Sequence, residues 1–185
     1  PDPAANRNVK NILVEHCVLW NAEPGNAVEI GYEVRCDEIS DITFRDLDIV
    51  HCEYEGNQSG GVLTIHNADR AHIHDIVYED IRVEDAQEKF VDIKVLDSKY
   101  SLDRKRGSVE NIYFRNVEIL NGNFPVSIIR GFEMHTEMSR PRNIYFDNVV
   151  VLGKQVESPS DLHMVVELSD DILFNGTAHA KRNPF

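Results

Sequence analysis

Asn111-Ile112-Tyr113-Phe114-Arg115-Asn116-Val117-Glu118-Ile119 is the stretch on which the reading of this 185-residue chain turns, because the same pattern returns four more times. It recurs as Asn11-Ile12-Leu13-Val14-Glu15-His16-Cys17-Val18-Leu19 and as Asp41-Ile42-Thr43-Phe44-Arg45-Asp46-Leu47-Asp48-Ile49. It recurs again as Asp75-Ile76-Val77-Tyr78-Glu79-Asp80-Ile81-Arg82-Val83 and as Asn143-Ile144-Tyr145-Phe146-Asp147-Asn148-Val149-Val150-Val151. Asp171-Ile172-Leu173-Phe174 is a worn sixth copy. The copies lie about 30–36 residues apart, a period that signals a solenoid or another repeat architecture.

Within each copy apolar residues alternate with period two, the signature of a strand. The alternation changes phase once. Ile112 and Phe114 belong to one face, and Val117 and Ile119 follow after two polar residues. The second of those polar residues forms the column His16, Asp46, Asp80, Asn116, Asn148. Small polar side chains suit a sharp bend, because they tolerate turn conformations and bond to nearby backbone. Stacked in register they form a side-chain ladder.

Each repeat has a second half with its own short strand: Ala27–Gly31, Gly61–His66, Phe90–Val95, Pro125–Ile129 and Met164–Leu168. About three strands per coil wrap an apolar interior, and no single coil buries its apolar side alone, so stability comes from stacking. The expected fold is all-β: a single-stranded right-handed parallel β-helix of about five to six coils, one domain over 1–185. Leucine-rich repeats are shorter, propeller blades need hairpins, and helical repeats need a 3.6-residue period. The segments 53–60, 96–107 and 130–140 vary in length and read as loops rising from the solenoid, where sites are often framed.

The chain is acidic, with 19 Lys+Arg against 32 Asp+Glu and a formal charge of −13. A phosphate backbone needs a basic face, so nucleic acid is excluded as a partner, and anionic membrane surfaces are disfavoured. No stretch approaches the roughly 20 apolar residues of a bilayer span. Pro1-Asp2-Pro3 opens neither a basic n-region nor an apolar h-region, so no signal peptide is visible. Cys17, Cys36 and Cys52 lack zinc-type spacing and read as buried or half-buried free thiols. No metal or other cofactor is expected. Asn57-Gln58-Ser59 and Asn175-Gly176-Thr177 fit the glycosylation sequon, which matters only in a eukaryotic secretory setting.

The second-half strands carry the chemistry. Val28, Ile30, Leu63, Ile65, Val91, Ile93, Val126 and Ile128 should point inward, leaving Glu29, Thr64, His66, Asp92, Lys94 and Ser127 on one outward strip. Glu29 and Asp92 lie two coils apart, which puts their backbones roughly 9–10 Å apart. That is near the separation of a carboxylate pair that activates a water between them, so the two are the catalytic candidates. Polar residues on an exposed strand also fit a plain solvated surface, and Lys94 has Asp92 or Glu29 as a surface ion-pair partner. His66 fits either role. Asp170-Asp171 reads as structural. Arg130 and His135 could contact an anionic sugar but have no motif around them.

The run Gly25-Asn26-Ala27-Val28-Glu29-Ile30-Gly31, followed by Glu38-Ile39-Ser40-Asp41-Ile42-Thr43-Phe44-Arg45-Asp46, resembles the polygalacturonase family, glycoside hydrolase family 28. Gly61–His66, Asp75–Ile81 and Phe90–Lys94 continue the resemblance over most of the chain. It implies a pectin-lyase-like β-helix and inverting hydrolysis of a glycosidic bond. Asn26 stands where the family has His, and Thr64 and His66 stand where it has Arg and Lys. The family's catalytic aspartates lie in coils that precede the Gly-His-Gly strand, so the resemblance implies the C-terminal portion of a longer β-helix.

The expected partner is then a polysaccharide or oligosaccharide, with Asn26, Thr64, His66 and Lys94 as substrate-binding residues. Loss of the Arg and Lys that would hold a uronate carboxylate leans toward a neutral glycan. The expected setting is secreted, periplasmic or extracellular. Self-association through the N-terminal coil would cover its apolar end and strand edge. The rival reading is a non-catalytic carbohydrate-binding or adhesin-type solenoid using Tyr54, Tyr32 or Trp20 as stacking platforms. A purely structural solenoid is a third, and a calcium-dependent lyase lacks an ordered ligand motif.

Overall fold

The structure, a computed structural model, describes residues 7–22, 25–53, 60–123 and 126–178. In chain order the strands are β1 (Val9–Asn21), β2 (Val28–Ile30), β3 (Glu38–Cys52), β4 (Gly61–Asn67) and β5 (His72–Val83). Next come β6 (Lys89–Val95), β7 (Ser108–Ile119), β8 (Ser127–Arg130), β9 (Phe132–Met134) and β10 (Glu137–Ser139). The last are β11 (Arg142–Val151), β12 (Lys154–Gln155), β13 (Met164–Glu167), β14 (Asp170–Phe174) and β15 (Thr177–Ala178). A 3-10 turn spans Pro159–Leu162. The described residues contain no helix long and apolar enough to cross a membrane.

The chain is a parallel β-solenoid of about four turns. One sheet stacks β1-β3-β5-β7-β11-β14 in parallel, and the other stacks β2-β4-β6-β8-β13. The turn count is below the five to six coils expected from the repeats. The worn sixth copy does form a strand, β14, but it is only 5 residues long and folds back antiparallel onto β15 instead of winding another coil. The two strands expected in the first half of each coil are one long bent strand. Loop 130–140 carries the β9–β10 hairpin. Most of 53–60 and the sequon Asn57-Gln58-Ser59 lie outside the described residues.

The bends have a defined cause. Two residues in each long strand sit in the left-handed region, with φ between 51° and 58°. One column is Asn11, Asp41, Asp75, Asn111, Asn143 and Asp171; the other is His16, Asp46, Asp80, Asn116 and Asn148, while Asn175 opens the two-residue turn from β14 to β15. Asn, Asp and His are the non-glycine residues that tolerate this region best. Each such residue advances the inward face by three positions instead of two, so Ile39 passes to Ile42 and Phe44 to Leu47, all facing the core or packed against it. The second column is the expected polar ladder. The first went unremarked in the sequence, although it opens every copy.

The ladders close by side-chain hydrogen bonds between coils. Asn116 Nδ2 donates to Asp80 Oδ1 at 2.9 Å, and Asn148 Nδ2 to Asn116 Oδ1 at 2.9 Å. In the other column Asn111 donates to Asp75 and Asn143 to Asn111, both at 3.1 Å. Where two aspartates follow each other, other groups take over. Arg82 Nη2 donates to Asp46 at 2.9 Å, Ser40 Oγ to Asp41 at 3.0 Å, and His74 Nδ1 lies 2.6 Å from Asp75.

Inside, equal residues stack on equal residues. Phe44, Tyr78, Phe114, Phe146 and Phe174 form a continuous pile with ring centroids 5.2, 5.0, 4.7 and 4.8 Å apart. Strand spacing of roughly 4.8 Å sets that interval. Outside, the register aligns Glu15, Arg45, Glu79, Arg115 and Asp147 as a column of alternating charge. Cys36 and Cys52 are buried and Cys17 partly so, all as free thiols. At the first coil Ile12 is 38% exposed, whereas its stacked equivalents Ile42 and Ile76 are 4% and 0%. Val156 and Leu162 fill the core at the other end.

Two stability measurements test this account. Tyr78 is fully buried in the aromatic pile and its hydroxyl has no hydrogen-bond partner among the described residues. Tyr78→Phe is therefore expected to stabilise the protein by about 1 kcal/mol in urea unfolding, since an unsatisfied buried donor costs roughly that much or more. Asn116→Ala loses both ladder bonds and strains the left-handed corner, for an expected loss of about 1–2 kcal/mol. Asn116→Gly, which relieves the corner, should lose less. If Gly is as damaging as Ala, backbone conformation is not what selects Asn there.

Candidate functional site

The short strands β2, β4 and β6 align Glu29 with Thr64 and Thr64 with Asp92, and they place His66 beside Lys94. Alternation turns Leu63, Ile65, Val91 and Ile93 into the core, all fully buried, so these polar residues share the outward face. In β8 the expected phase is wrong. Ile128, not Ser127, is in register with Asp92, while Ser127 is buried and its Oγ accepts a bond from Val91 N at 3.4 Å. Ile129 fills the core instead of Ile128. The slip of one residue exchanges the faces. Pro125 lies outside the described residues.

The outward face is not a solvated strip. Thr64 and Asp92 are fully buried and His66 is 3% exposed. Thr64 Oγ1 donates back to Val28 O at 3.0 Å, which ties it to the sheet rather than to a ligand. His66 lies between the two candidate carboxylates. Its Nδ1 is 3.1 Å from Glu29 Oε1 and its Nε2 is 3.1 Å from Asp92 Oδ2, the latter within ion-pair distance but angled away from a hydrogen bond. Lys94 Nζ donates to Asp92 Oδ2 at 2.9 Å, and Lys89 Nζ approaches the same oxygen at 3.3 Å. Asn26 Nδ2 donates to Glu29 Oε2 at 2.7 Å, while its Oδ1 accepts from Gly61 N at 2.6 Å.

Four of the six predicted residues (Glu29, His66, Asp92 and Lys94) thus meet in one charge cluster, and Asn26 joins it through Glu29. Lys89 was missed. It sits at the start of β6, and no periodic signal marks it. Gly31 allows the assembly to close, since a Cβ there would stand 2.7 Å from His66 O. Tyr32 packs edge-on to the His66 ring at 5.5 Å between centroids. Trp20 is elsewhere, 69% exposed and packed at a tilt against His51 with ring centroids 4.8 Å apart. Tyr54 lies outside the described residues.

The electrostatics follow from burial and charge in competition. Burial works against the His66 imidazolium, but the carboxylates of Asp92 and Glu29 outweigh it and hold its pKa above the ordinary value. The hydrogen bond from His66, aided by Asn26, holds Glu29 low. Burial would raise Asp92, yet His66, Lys94 and Lys89 keep it ionised below the usual aspartate value. Burial draws Lys94 down despite Asp92. Asp92 Oδ1 accepts no hydrogen bond among the described residues. The imidazole fills the interval between the two carboxylates. Among the described residues no group of three or more His, Cys, Asp or Glu is arranged to hold a metal ion.

Two other sequence candidates resolve simply. Arg130 Nε donates to Glu167 Oε2 at 2.6 Å on the outward face. Asp171 is one of the left-handed corner residues. Comparison of the chain with known proteins found no matching family model, no similar curated protein and no similar solved structure.

The cluster gives stability a defined pH dependence. A raised His66 pKa contributes stability that is complete below about 6.5, the unfolded value, and is lost as pH rises through the folded one. The lowered Glu29 and Asp92 values contribute stability present above about 4 and lost as pH falls through them. Unfolding free energy is expected to fall as pH rises above about 6.5, with His74, also raised by Asp75 and Glu38 against burial, adding to the slope. His66→Gln should be less stable by about 1–3 kcal/mol at pH 6 and show a shallower slope. An unchanged slope would remove His66 as its source.

Proposed function

We propose that this chain is part of a polysaccharide-degrading glycoside hydrolase of the polygalacturonase type, wound as a right-handed β-helix. The handedness rests on the strong rule for crossovers between parallel strands. The observation that carries the functional reading is the Glu29–His66–Asp92–Lys94 cluster on the outward face of the short-strand sheet. A solenoid that only needed a solvated surface would gain nothing from burying the titratable groups of His66 and Asp92, because desolvation of buried charge is costly.

Within the cluster the roles divide by access. The side chains of Glu29 and Lys94 are 29% and 19% exposed, so they can meet a sugar hydroxyl. Asn26 stands beside Glu29 at the same rim. Asp92 and His66 lie beneath and hold the rim groups ionised and oriented. Of the two candidate catalytic carboxylates, Glu29 is therefore the one that can reach substrate, and Asp92 is a positioning residue. His66, Lys94 and Arg130 each face a carboxylate from Glu29, Asp92 or Glu167. Those pairings leave little positive charge for a uronate and favour a neutral glycan. A polymeric substrate places the protein in the periplasm or outside the cell, and the exposed first coil is a surface for self-association.

A second reading is a carbohydrate-binding solenoid without turnover. It is favoured by the His66 ring standing where a water between the two carboxylates would have to be. Reducing-sugar release and affinity electrophoresis on a panel of neutral and acidic polysaccharides separate the two. Cleavage that falls at least a hundredfold in Glu29→Gln supports the hydrolase. Binding without cleavage, weakened in Asn26→Ala and Lys94→Ala, supports the binding solenoid. Neither binding nor cleavage of any glycan would sink both.

A further inference from the structure

A second polar site lies where successive coils enter the long-strand sheet. A cleft of about 450 Å³ opens between the end of loop 96–107, the end of β10 and the starts of β7, β11 and β14. Arg106, Arg140 and Arg142 line it together with one acid, Asp170. Three guanidinium groups converge on it, and each also has an acid within ion-pair distance: Arg106 has Asp97, Arg142 has Glu110 and Arg140 has Asp170. The volume falls in the range of small-ligand sites.

The three arginines are not equivalent. Arg106 is 4% exposed, its guanidinium donates to the carbonyls of Ala68, Asp103 and Leu96, and Asp97 stands 3.7 Å away, so it supplies a fixed, partly compensated charge rather than free donors. Arg142 is paired with Glu110 but keeps 57% of its side chain exposed. Arg140 is two-thirds covered, at 33% exposure, and poorly satisfied. Its Nε donates to the thioether of Met138 at 2.8 Å, a weak acceptor, and its Nη1 stands 3.8 Å from Asp170 Oδ1, beyond hydrogen-bond reach. A guanidinium has five donors in a planar fork that matches two oxygens of one anion. The Ser108 hydroxyl, in the same wall, donates to nothing among the described residues.

We infer that Arg140 and Arg142 form an oxyanion-binding site that takes the carboxylate or sulfate of an acidic sugar. Arg140 supplies the bidentate fork, Arg142 the second charge, and buried Arg106 the positive field beneath them. The site is separate from the Glu29–His66 cluster; its oxyanion chemistry stands on the arginines alone, and the choice of an acidic sugar as ligand rests on the glycan reading proposed above. It would let the protein hold an acidic decoration or neighbouring acidic chain while the strip meets neutral sugar.

The test is a titration of the full chain with sodium sulfate, D-glucuronate and D-glucose at low ionic strength, following the arginine Nε–H signals by NMR. Saturable shifts of Arg140 and Arg142 with sulfate and glucuronate, but not glucose, are expected. Glucuronate binding tighter than sulfate identifies a carboxylate on a sugar as the ligand, and the reverse order identifies a sulfate group. Arg140→Ala should weaken binding about tenfold or more, the effect of losing a charge-assisted pair. Arg45→Ala, on the same sheet far from the cleft, should leave it unchanged. Asp170→Asn removes the competing carboxylate and should tighten binding, a gain that misfolding could not produce. Absence of saturable shifts up to tens of millimolar, or equal binding by the Arg140→Ala protein, overturns the proposal.

Discussion

Parallel strands in register bring each residue within roughly 4.8 Å of its counterpart in the next coil, and nearly everything else in this protein follows from that constraint. A side chain that bends one coil must be matched by one that bends the next at the same place. Hence two left-handed corners recur in every long strand, filled by Asn, Asp or His. The same constraint piles Phe44, Tyr78, Phe114, Phe146 and Phe174 face to face. It also rules out long runs of one charge. Where Asp46 meets Asp80, Arg82 steps in, and the outer columns alternate sign.

Stacking also explains how a charge cluster can exist on a sheet face. Glu29, His66 and Asp92 come from three successive coils and are far apart in sequence, yet register stacks Glu29, Thr64 and Asp92 and leaves the His66 ring within reach of both carboxylates. Their neighbours prevent escape to water. Each group is then stabilised in its charged form by the next, despite the burial that opposes it. The outcome is a rigid polar ridge with two groups, Glu29 and Lys94, at its accessible edge. Rigid polar groups at a rim, supported from beneath, are what a sugar-binding surface requires, since sugar hydroxyls are recognised by fixed hydrogen-bond directions.

The cleft at the sheet entrance arises differently. Arg106 and Arg140 come from the ends of loops that differ in length between coils, whereas Arg142 opens β11 and is stacked in register between Glu110 and Asp170. Arg140 faces a thioether and a distant carboxylate because the β9–β10 hairpin has no counterpart in the coil before it. An unmatched element is where a solenoid can place a group that its own ladder does not neutralise.

The repeat alone carries the strand positions, their parallel stacking, the polar ladder and the membership of the outward strip in β2, β4 and β6. Each of these is carried by a period, and periods survive in a linear text. The first corner column was equally periodic but looked like a strand residue, because Asn and Asp at a strand start are unremarkable. Tertiary structure alone decided the rest. The phase of β8 depended on a one-residue slip that apolar neighbours Ile128 and Ile129 disguise. The burial of Thr64, His66 and Asp92, the position of the His66 ring between two carboxylates, and the recruitment of Lys89 depend on what covers the sheet and on side-chain reach. Neither is periodic, so neither is written in the repeat.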